Sequence, residues 1–146
     1  MKFDMDNSLG FILNKTALLS KAHFNNYLKE YDISPEQWSL IFRVVERSGL
    51  TQKELSDSTY KDQANITRSI DRLEQKGFLK RIENPNDRRS FQLIPTQDAI
   101  ALVERIIPLS QAFNAQLTQG FSEEETKMLI ALLNKVHHNL EGKSVC

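Results

Sequence analysis

The chain is short of the residues on which several classes of protein depend. It contains one cysteine, Cys146, so no disulfide can form within one chain, which is typical of a protein kept in a reducing compartment. No apolar run approaches the roughly 20 residues that span a membrane, and the start Met1-Lys2-Phe3-Asp4 is not that of a signal peptide. We therefore expect a soluble, cytoplasmic protein that does not enter a membrane.

Groups for catalysis or metal binding are equally scarce. The three histidines form no HExxH or similar array, no Gly-rich phosphate loop is present, and no nucleophile has an obvious base partner. His137 and His138 are adjacent and point about 100° apart on a helix, so they cannot both face one metal ion. We therefore predict that the chain is not an enzyme and holds no metal or other cofactor.

Charge is balanced in total but placed unevenly. Lys plus Arg and Asp plus Glu each number 19, which argues against a non-specific polycation. Residues 61–92 hold eight basic and five acidic side chains, a local excess of +3, whereas residues 93–146 hold four basic and six acidic, a local −2. A basic excess confined to one segment is the footprint expected of DNA binding.

The segment Asp62–Gly77 predicts a helix with one apolar and one polar face. Ile66, Ile70 and Leu73 fall at i, i+4 and i+7 and form an apolar stripe. The first residue of the segment suits an N-cap and the last suits a stop. The polar face carries groups that can reach base edges in a major groove: Gln63, Asn65, Thr67, Arg68, Asp71, Arg72 and Gln75. An ordinary solvated face explains the same pattern, so the neighbouring segments decide.

A short helix is predicted immediately upstream. Thr51-Gln52-Lys53-Glu54 is a capping box, with Thr51 as N-cap and Glu54 as its reciprocal partner, and the helix should end near Ser58. A tight connection through Tyr60-Lys61 then leads to the polar-faced helix. This order is that of a helix-turn-helix.

Two short strands are predicted immediately downstream, at Phe78–Glu83 and Ser90–Ile94. The loop between them, Asn84–Arg89, is rich in turn residues and then basic. Two strands after a recognition helix make a wing, and a wing tip with adjacent arginines suits a narrow, electronegative minor groove.

Apolar helices flank this region at both ends of the chain. The first should begin near Asp6 to Ser8 and run to about Tyr31, with an apolar surface wide enough to bury more than one face and with His23 as a partly buried structural residue. A second helix opens with a Ser34 capping box and ends at Ser48-Gly49. Its Trp38 belongs either to the core or to the wall of a small-molecule pocket.

Two further helices follow the wing. The first starts after Thr96 and ends at Gly120, with a kink or a break expected at Pro108. The second begins with a capping box at Ser122 and carries a regular apolar pattern. Because the apolar helices at the two ends of the chain need a partner, we predict that they form a dimer interface.

The central residues resemble the MarR family of winged helix-turn-helix transcriptional regulators. The resemblance is carried by Ile66-Thr67-Arg68, by Leu73 through Leu79, by Arg81, and by Asn84 through Ser90. It implies a mainly α (α+β) fold in which residues 1–146 form one MarR-like domain, 34–96 the DNA-binding region, and 1–31 and 97–146 dimerisation helices. One departure is Ile94-Pro95-Thr96-Gln97-Asp98-Ala99, where the family usually has Leu-Thr-Glu-Lys-Gly. Pro95 lacks a backbone donor there, but Thr96 can still cap the next helix.

The resemblance also implies a function. It implies an obligate homodimer that binds a pseudo-palindromic operator in double-stranded DNA, as a repressor relieved by a small, often phenolic ligand. Two alternatives stay open: a winged-helix module that binds protein, and a redox-sensing regulator that uses Cys146.

Candidate sites follow from the two lines of reasoning together. Arg68 is the first choice for a base or phosphate contact, and Asp87 should orient the Arg89 guanidinium or tie the wing down. The resemblance implies that the positions of Asp87 and Arg89 are the most important ones in the wing. The full set of predicted DNA contacts is Thr51, Gln52, Gln63, Asn65, Thr67, Arg68, Arg72, Asp87, Arg88 and Arg89. The predicted ligand-binding residues are Trp38, His23 and Phe24.

Overall fold

The computed structural model describes residues 2–143, and its fold is mainly helical. Within these residues the chain forms six α-helices and one two-stranded antiparallel sheet: α1 Leu9–Leu28, α2 Pro35–Glu46, α3 Gln52–Asp57, α4 Gln63–Gln75, β1 Leu79–Glu83, β2 Phe91–Pro95, α5 Gln97–Leu117 and α6 Glu123–Leu140. Short 3₁₀ turns precede and follow α1. The predicted fold class, mainly α with a winged helix-turn-helix, is confirmed.

The described chain divides into two compact units between Gln111 and Ala112. The core of the first unit is built by α2, α3, α4 and the sheet, with the C-terminal end of α1 and the first half of α5. Its most deeply buried large residues are Leu28, Leu40, Ile41, Val44, Leu55, Ile70, Leu73, Leu79, Leu93 and Ile106. Burial of this apolar set is the main favourable term that holds the unit together.

Local signals in the sequence set the starts of the helices in this unit. The Ser34 hydroxyl accepts from the Gln37 main-chain N–H, and the Gln37 side chain accepts from the Ser34 N–H in return, each at 3.1 Å. Thr51 and Glu54 make the same reciprocal pair at the start of α3. Both predicted capping boxes are confirmed, because each depends on residues only three apart.

Three of the four strand ends lie one residue later than predicted. β1 begins at Leu79 rather than at Phe78, and β2 spans Phe91–Pro95, with Pro95 opposite Leu79. Proline is tolerated in β2 because it stands at the end of the strand. Thr96 closes the junction: its hydroxyl donates to the Gly77 carbonyl at 2.6 Å and accepts from the Ala99 N–H at 3.2 Å. The cap at the start of α5 therefore forms despite the departure at residues 94–99.

One expectation about the long helices is corrected, and another is confirmed in part. His23 is exposed rather than partly buried, because α1 buries only Phe24 and Leu28 near its C-terminal end. The chain stays helical through Pro108, which lies inside α5, so the proline is not a helix boundary, as expected. Apolar side chains on both sides of the proline keep the helix packed even though one backbone hydrogen bond is lost.

The second unit contains the end of α5, a turn and α6. Gly120 has a φ of +85°, a left-handed conformation that glycine adopts without strain, and the predicted helix end is confirmed there. The Ser122 capping box with Glu125 opens α6. None of the 18 residues of α6, all of them within the described chain, is buried. No helix of residues 2–143 is both long and apolar enough to cross a membrane.

Candidate nucleic-acid interface

The helix α4 presents its polar face to solvent and its apolar stripe to the core. Ile66, Ile70 and Leu73 are all buried, as the spacing predicted. The Asp62 carboxylate caps the helix by accepting from the Asn65 main-chain N–H at 3.2 Å. The predicted contact residues on this helix are all exposed: Gln63, Asn65, Thr67, Arg68 and Arg72. A rigid helix with an exposed polar N-terminal half has the form required to enter a major groove.

Side chains at the start of α4 are bound to one another. The Asn65 amide nitrogen donates to the Asp62 carboxylate at 2.6 Å, and the Arg68 guanidinium donates to the Asn65 amide oxygen. These bonds hold Asn65 and Arg68 as one group. Such a group can offer a guanidinium to a guanine edge or to a phosphate.

The short helix α3 contributes to the same surface. The Gln52 amide donates to the Thr67 hydroxyl at 2.5 Å, and that hydroxyl donates to the Gln63 carbonyl at 2.8 Å. Thr51 serves as the N-cap of α3 and is half-buried. The structure therefore brings together the predicted contacts from α3 and α4, although they are 15 positions apart in the chain.

The wing loop is held in shape by its own polar groups. The Asn84 amide donates to the Ser90 hydroxyl at 3.0 Å, and the Asp87 carboxylate accepts from the Arg89 main-chain N–H at 2.9 Å. Asp87 therefore fixes the Arg89 backbone rather than its guanidinium. Within residues 2–143 the guanidinium groups of Arg88 and Arg89 have no protein partner. Two exposed, unpaired cations at a shaped tip can contact phosphates or a narrow minor groove.

Contacts that sequence reasoning missed hold the connection between α3 and α4. The Arg43 guanidinium donates to the Ser58 carbonyl at 3.1 Å and to Glu46 at 2.8 Å. The Tyr60 hydroxyl lies 3.0 Å from the Ser39 hydroxyl. Both links join α2 to the connection across more than a dozen positions, so no local pattern reveals them.

A cavity of about 460 Å³ lies beside this connection, within the first unit. Its apolar walls are Trp38, Phe42 and Ile107, and its polar wall includes Arg43 and Tyr60. Trp38 is thus both a buried residue and a pocket wall. The other two predicted ligand residues, His23 and Phe24, do not line this cavity: His23 is exposed and Phe24 is buried near the end of α1.

The histidines and the cysteine were weighed as candidates for metal binding and redox sensing. No group of three or more His, Cys, Asp or Glu in residues 2–143 could hold a metal ion. His137 and His138 are both exposed on α6. Cys146, which carried the redox-sensing alternative, lies outside the described residues.

Comparison with known proteins identifies relatives across nearly the whole chain. The model of the MarR family matches residues 33–91. A helix-turn-helix-type transcriptional regulator of Bacillus cereus, whose own role is uncharacterised, is 30% identical over 145 residues, which is 96% of this chain and 97% of the relative.

Solved structures also match this chain over nearly its whole length. A mutant of E. coli MarR, complexed with operator DNA, is 28% identical and superposes with a TM-score of 0.83 over 93% of this chain and 98% of that one. BpsR of Bordetella bronchiseptica, whose DNA binding is regulated by 6-hydroxynicotinic acid, is 21% identical, with a TM-score of 0.88 over 94% of this chain and 98% of that one. At that identity BpsR shows the fold alone.

Proposed function

The chain belongs to the MarR family of DNA-binding transcriptional regulators, whose members are not enzymes, and from that premise we propose that it acts as a homodimeric repressor released by a small aromatic ligand. The observation that carries the proposal is the surface formed by α3, α4 and the wing. There an exposed helix with amide and guanidinium groups stands beside a wing tip with two unpaired arginines.

Each part of that surface has its own role in the proposed complex. The start of α4 enters the major groove, where Arg68 contacts a guanine edge or a phosphate, with Gln63 and Thr67 beside it. Arg89 enters the adjacent minor groove, which offers negative potential but little sequence code. Gln52 supports the reading helix through its bond to Thr67.

The exposed apolar side chains at the two ends of the chain support a homodimer. Near the N-terminus, in the first unit, the exposed residues are Phe3, Met5, Leu9, Ile12, Leu18 and Leu19. In the second unit they are Leu117, Phe121, Met128, Leu129, Ile130, Leu132, Leu133 and Leu140. Apolar sets of this size are costly to leave in water and typically mark an association surface. Pairing two copies presents two α4 helices to a two-fold operator, which is how helix-turn-helix dimers read pseudo-palindromic DNA.

The cavity beside the α3–α4 connection is the proposed effector site. Its volume of about 460 Å³ suits one small aromatic molecule. Arg43 supplies a cation for a carboxylate or phenolate, and Trp38 and Phe42 supply apolar walls. A ligand that draws Arg43 away from the Ser58 carbonyl removes one of the bonds that fix the approach to α4. In a dimer, operator affinity depends on the spacing between the two α4 helices, which must match successive major grooves. An effector that favours a different spacing by ~2–3 kcal/mol lowers operator affinity roughly 30- to 150-fold.

The DNA-binding part of the proposal is tested by gel shift with the DNA upstream of the protein's own gene. We expect one discrete complex that resists competition by unrelated DNA of the same length. Complexes that unrelated DNA removes equally well would contradict a sequence-specific regulator and favour a winged-helix module with another partner.

The effector part needs a ligand titration on the preformed DNA complex. Aromatic acids and phenols are screened, starting with 6-hydroxynicotinic acid because it regulates DNA binding by BpsR. We expect release of DNA by a ligand that fits the cavity, and loss of that response in Arg43→Met. Arg47→Met is the matched control, because Arg47 caps the same helix but does not line the cavity. The proposal fails if no compound in the set releases DNA from the parent protein.

A further inference from the structure

Arg81, in the middle of β1, forms a two-pronged ion pair with the reading helix. One guanidinium nitrogen lies 2.5 Å from the Asp71 carboxylate and the other lies 2.7 Å from the Glu74 carboxylate. The Arg81 main-chain N–H also donates to the second oxygen of Glu74 at 3.2 Å. The Arg81 side chain is 23% exposed, whereas the Asp71 and Glu74 side chains are 54% and 41% exposed, so the guanidinium is partly shielded and the two carboxylates face water.

The geometry is specific to arginine. Asp71 and Glu74 stand three positions apart on α4 and therefore share one face of the helix. A planar guanidinium can donate to both at once, which fixes the angle between β1 and α4 as well as their separation. Lysine offers a single point charge and cannot fix that angle.

The two strands of the wing are anchored differently. β2 is held by main-chain hydrogen bonds to the segment before α3: Gly49 N–H donates to the Leu93 carbonyl and Leu93 N–H donates to the Leu50 carbonyl, both at 2.9 Å. β1 pairs with β2 on one side, and its polar contact with α4 within the described chain is the Arg81 pair. A two-stranded hairpin is only marginally stable by itself, so the direction in which the wing points depends on the contacts that hold its base.

We propose that Arg81 is a positioning residue that fixes the direction of the wing relative to α4, so that Arg89 reaches the minor groove while α4 occupies the major groove. The proposal rests on the proposed DNA-binding function. Arg81 is not itself a DNA contact in this account, because both terminal nitrogens of its guanidinium are already bound to carboxylates.

The main consequence is that the contribution of Arg89 depends on Arg81. In the parent chain Arg89→Ala removes one phosphate or groove contact, which should weaken operator binding about fivefold and lower the salt slope by about one. In an Arg81→Met background the wing no longer points at the groove. There the same Arg89→Ala change should alter affinity less than about twofold and leave the salt slope unchanged.

A double-mutant cycle measured by fluorescence anisotropy across a salt series tests this dependence. Lys80→Met is the matched control, because Lys80 is an exposed cation on the same strand; it should leave the Arg89 effect intact. Arg81→Lys should restore only part of the coupling. Where circular dichroism shows that Arg81→Met does not fold, Asp71→Ala with Glu74→Ala removes the acceptors and leaves Arg81 in place. The proposal is overturned if the effects of Arg81→Met and Arg89→Ala on operator affinity add. It is also overturned if Arg81→Met lowers the salt slope by the same amount whether residue 89 is arginine or alanine.

A measurement without DNA separates this inference from the proposed function. Spin labels are placed on exposed positions through Gln75→Cys at the end of α4 and Asn86→Cys in the wing, in a Cys146→Ser background diluted with unlabelled chain. Double electron–electron resonance should give a narrow distance distribution in the parent and in Lys80→Met, and a broader or shifted one in Arg81→Met. An unchanged distribution overturns the positioning role, whereas failure of the parent to bind operator overturns only the proposed function.

Discussion

The helices α4 and α6 start from the same kind of sequence and end in different surroundings. Both are N-capped and amphipathic, with apolar side chains at helical spacing. In α4, Ile66, Ile70 and Leu73 are at most 2% exposed. In α6, Leu129, Leu132 and Leu133 are 39%, 50% and 42% exposed. The α4 stripe is covered by its own chain, and the α6 stripe is not.

This difference separates what periodicity predicts from what it leaves open. An apolar stripe states which face of a helix avoids water, but not whether the cover comes from the same chain or from another. For α4 the cover is the core of the first unit. For α6 we propose a second copy of the chain. Substitutions that make the same chemical change in α4 and in α6 test whether each stripe is covered by its own chain or by a second copy.

Leu73→Asp in α4 should have the largest effect. It places a carboxylate in a fully buried position, which costs on the order of 5 kcal/mol and approaches the whole stability of a domain of this size. Chemical denaturation followed by circular dichroism should show an unfolded or barely stable chain at every protein concentration. Gln75→Asp, at an exposed site on the same helix, should fold normally.

Leu133→Asp in α6 should cost less and act through assembly. If a second copy covers this position, burying one carboxylate per chain weakens the dimer by roughly 2–4 kcal/mol. Sedimentation velocity should show a dimer for the parent at micromolar concentration and a shift toward monomer in the variant. Asn134→Asp is the control at the adjacent exposed position. A parent that sediments as a stable, fully helical monomer contradicts the proposed role of α6.

The polar face of α4 should respond differently from its apolar stripe. Arg68→Ala should leave folding intact and weaken specific binding by ~1–3 kcal/mol per half-site, with relaxed preference at particular base pairs. Arg89→Ala should weaken binding with little change in preferred bases and a salt slope lower by about one. Asp87→Ala should act as a milder Arg89→Ala, because it frees the Arg89 backbone without deleting the cation.

These wing and helix variants are compared on the operator and on point-substituted duplexes across a salt series, after circular dichroism has shown that each is folded. If all three variants bound the operator with the affinity of the parent, the roles assigned to Arg68 in base reading and to Arg89 in minor-groove contact would be contradicted.

The smallest effect is expected at the Lys21–Glu36 pair, which joins α1 to α2 at 2.9 Å. The hydrogen bond to Glu36, followed by its charge, raises the pKa of Lys21. Burial acts to raise the pKa of Glu36, but the hydrogen bond and charge of Lys21 outweigh it and lower that pKa below its ordinary value. Because both side chains are about half exposed, Glu36→Gln should cost about 0.2–1 kcal/mol near neutral pH.

The pH dependence of this cost follows from the direction of each shift. The lowered pKa of Glu36 means that its contribution is present above the ordinary carboxyl range and is lost as pH falls through the lowered pKa. The raised pKa of Lys21 means that its contribution is lost only as pH rises through a value above 10.5. Denaturant titrations should therefore show the parent and Glu36→Gln converging in acid. A difference that persists undiminished in acid would assign the cost to packing instead.

Sequence reasoning succeeded where structure depends on neighbours in the chain. The Ser34, Thr51 and Ser122 caps and the burial of the α4 stripe follow from residues within a few positions of one another. The exposure of His23 could not be predicted, because it depends on how much of α1 the core covers.

Contacts in the candidate site between residues far apart in the chain could not be predicted from the sequence either. The Arg43 bond to the Ser58 carbonyl spans 15 positions, and the pairing of Arg81 with Asp71 spans the turn into the sheet. Arg81 carried part of the family resemblance, but only the structure gives it a partner. The Asp87 carboxylate was predicted to act on Arg89, yet its acceptance of the main-chain N–H depends on the exact shape of the loop.

The most direct test of the account is the stoichiometry of the complex between the protein and its own promoter DNA. Analytical ultracentrifugation of a labelled duplex gives the number of chains per site, measured alongside an unrelated duplex of equal length. We expect two chains per site on the promoter duplex. Leu133→Asp should reduce that species by weakening the dimer, and Arg68→Ala should reduce it by weakening the contact with DNA. A complex of one chain per site, or equal binding to both duplexes, would contradict a dimeric sequence-specific regulator.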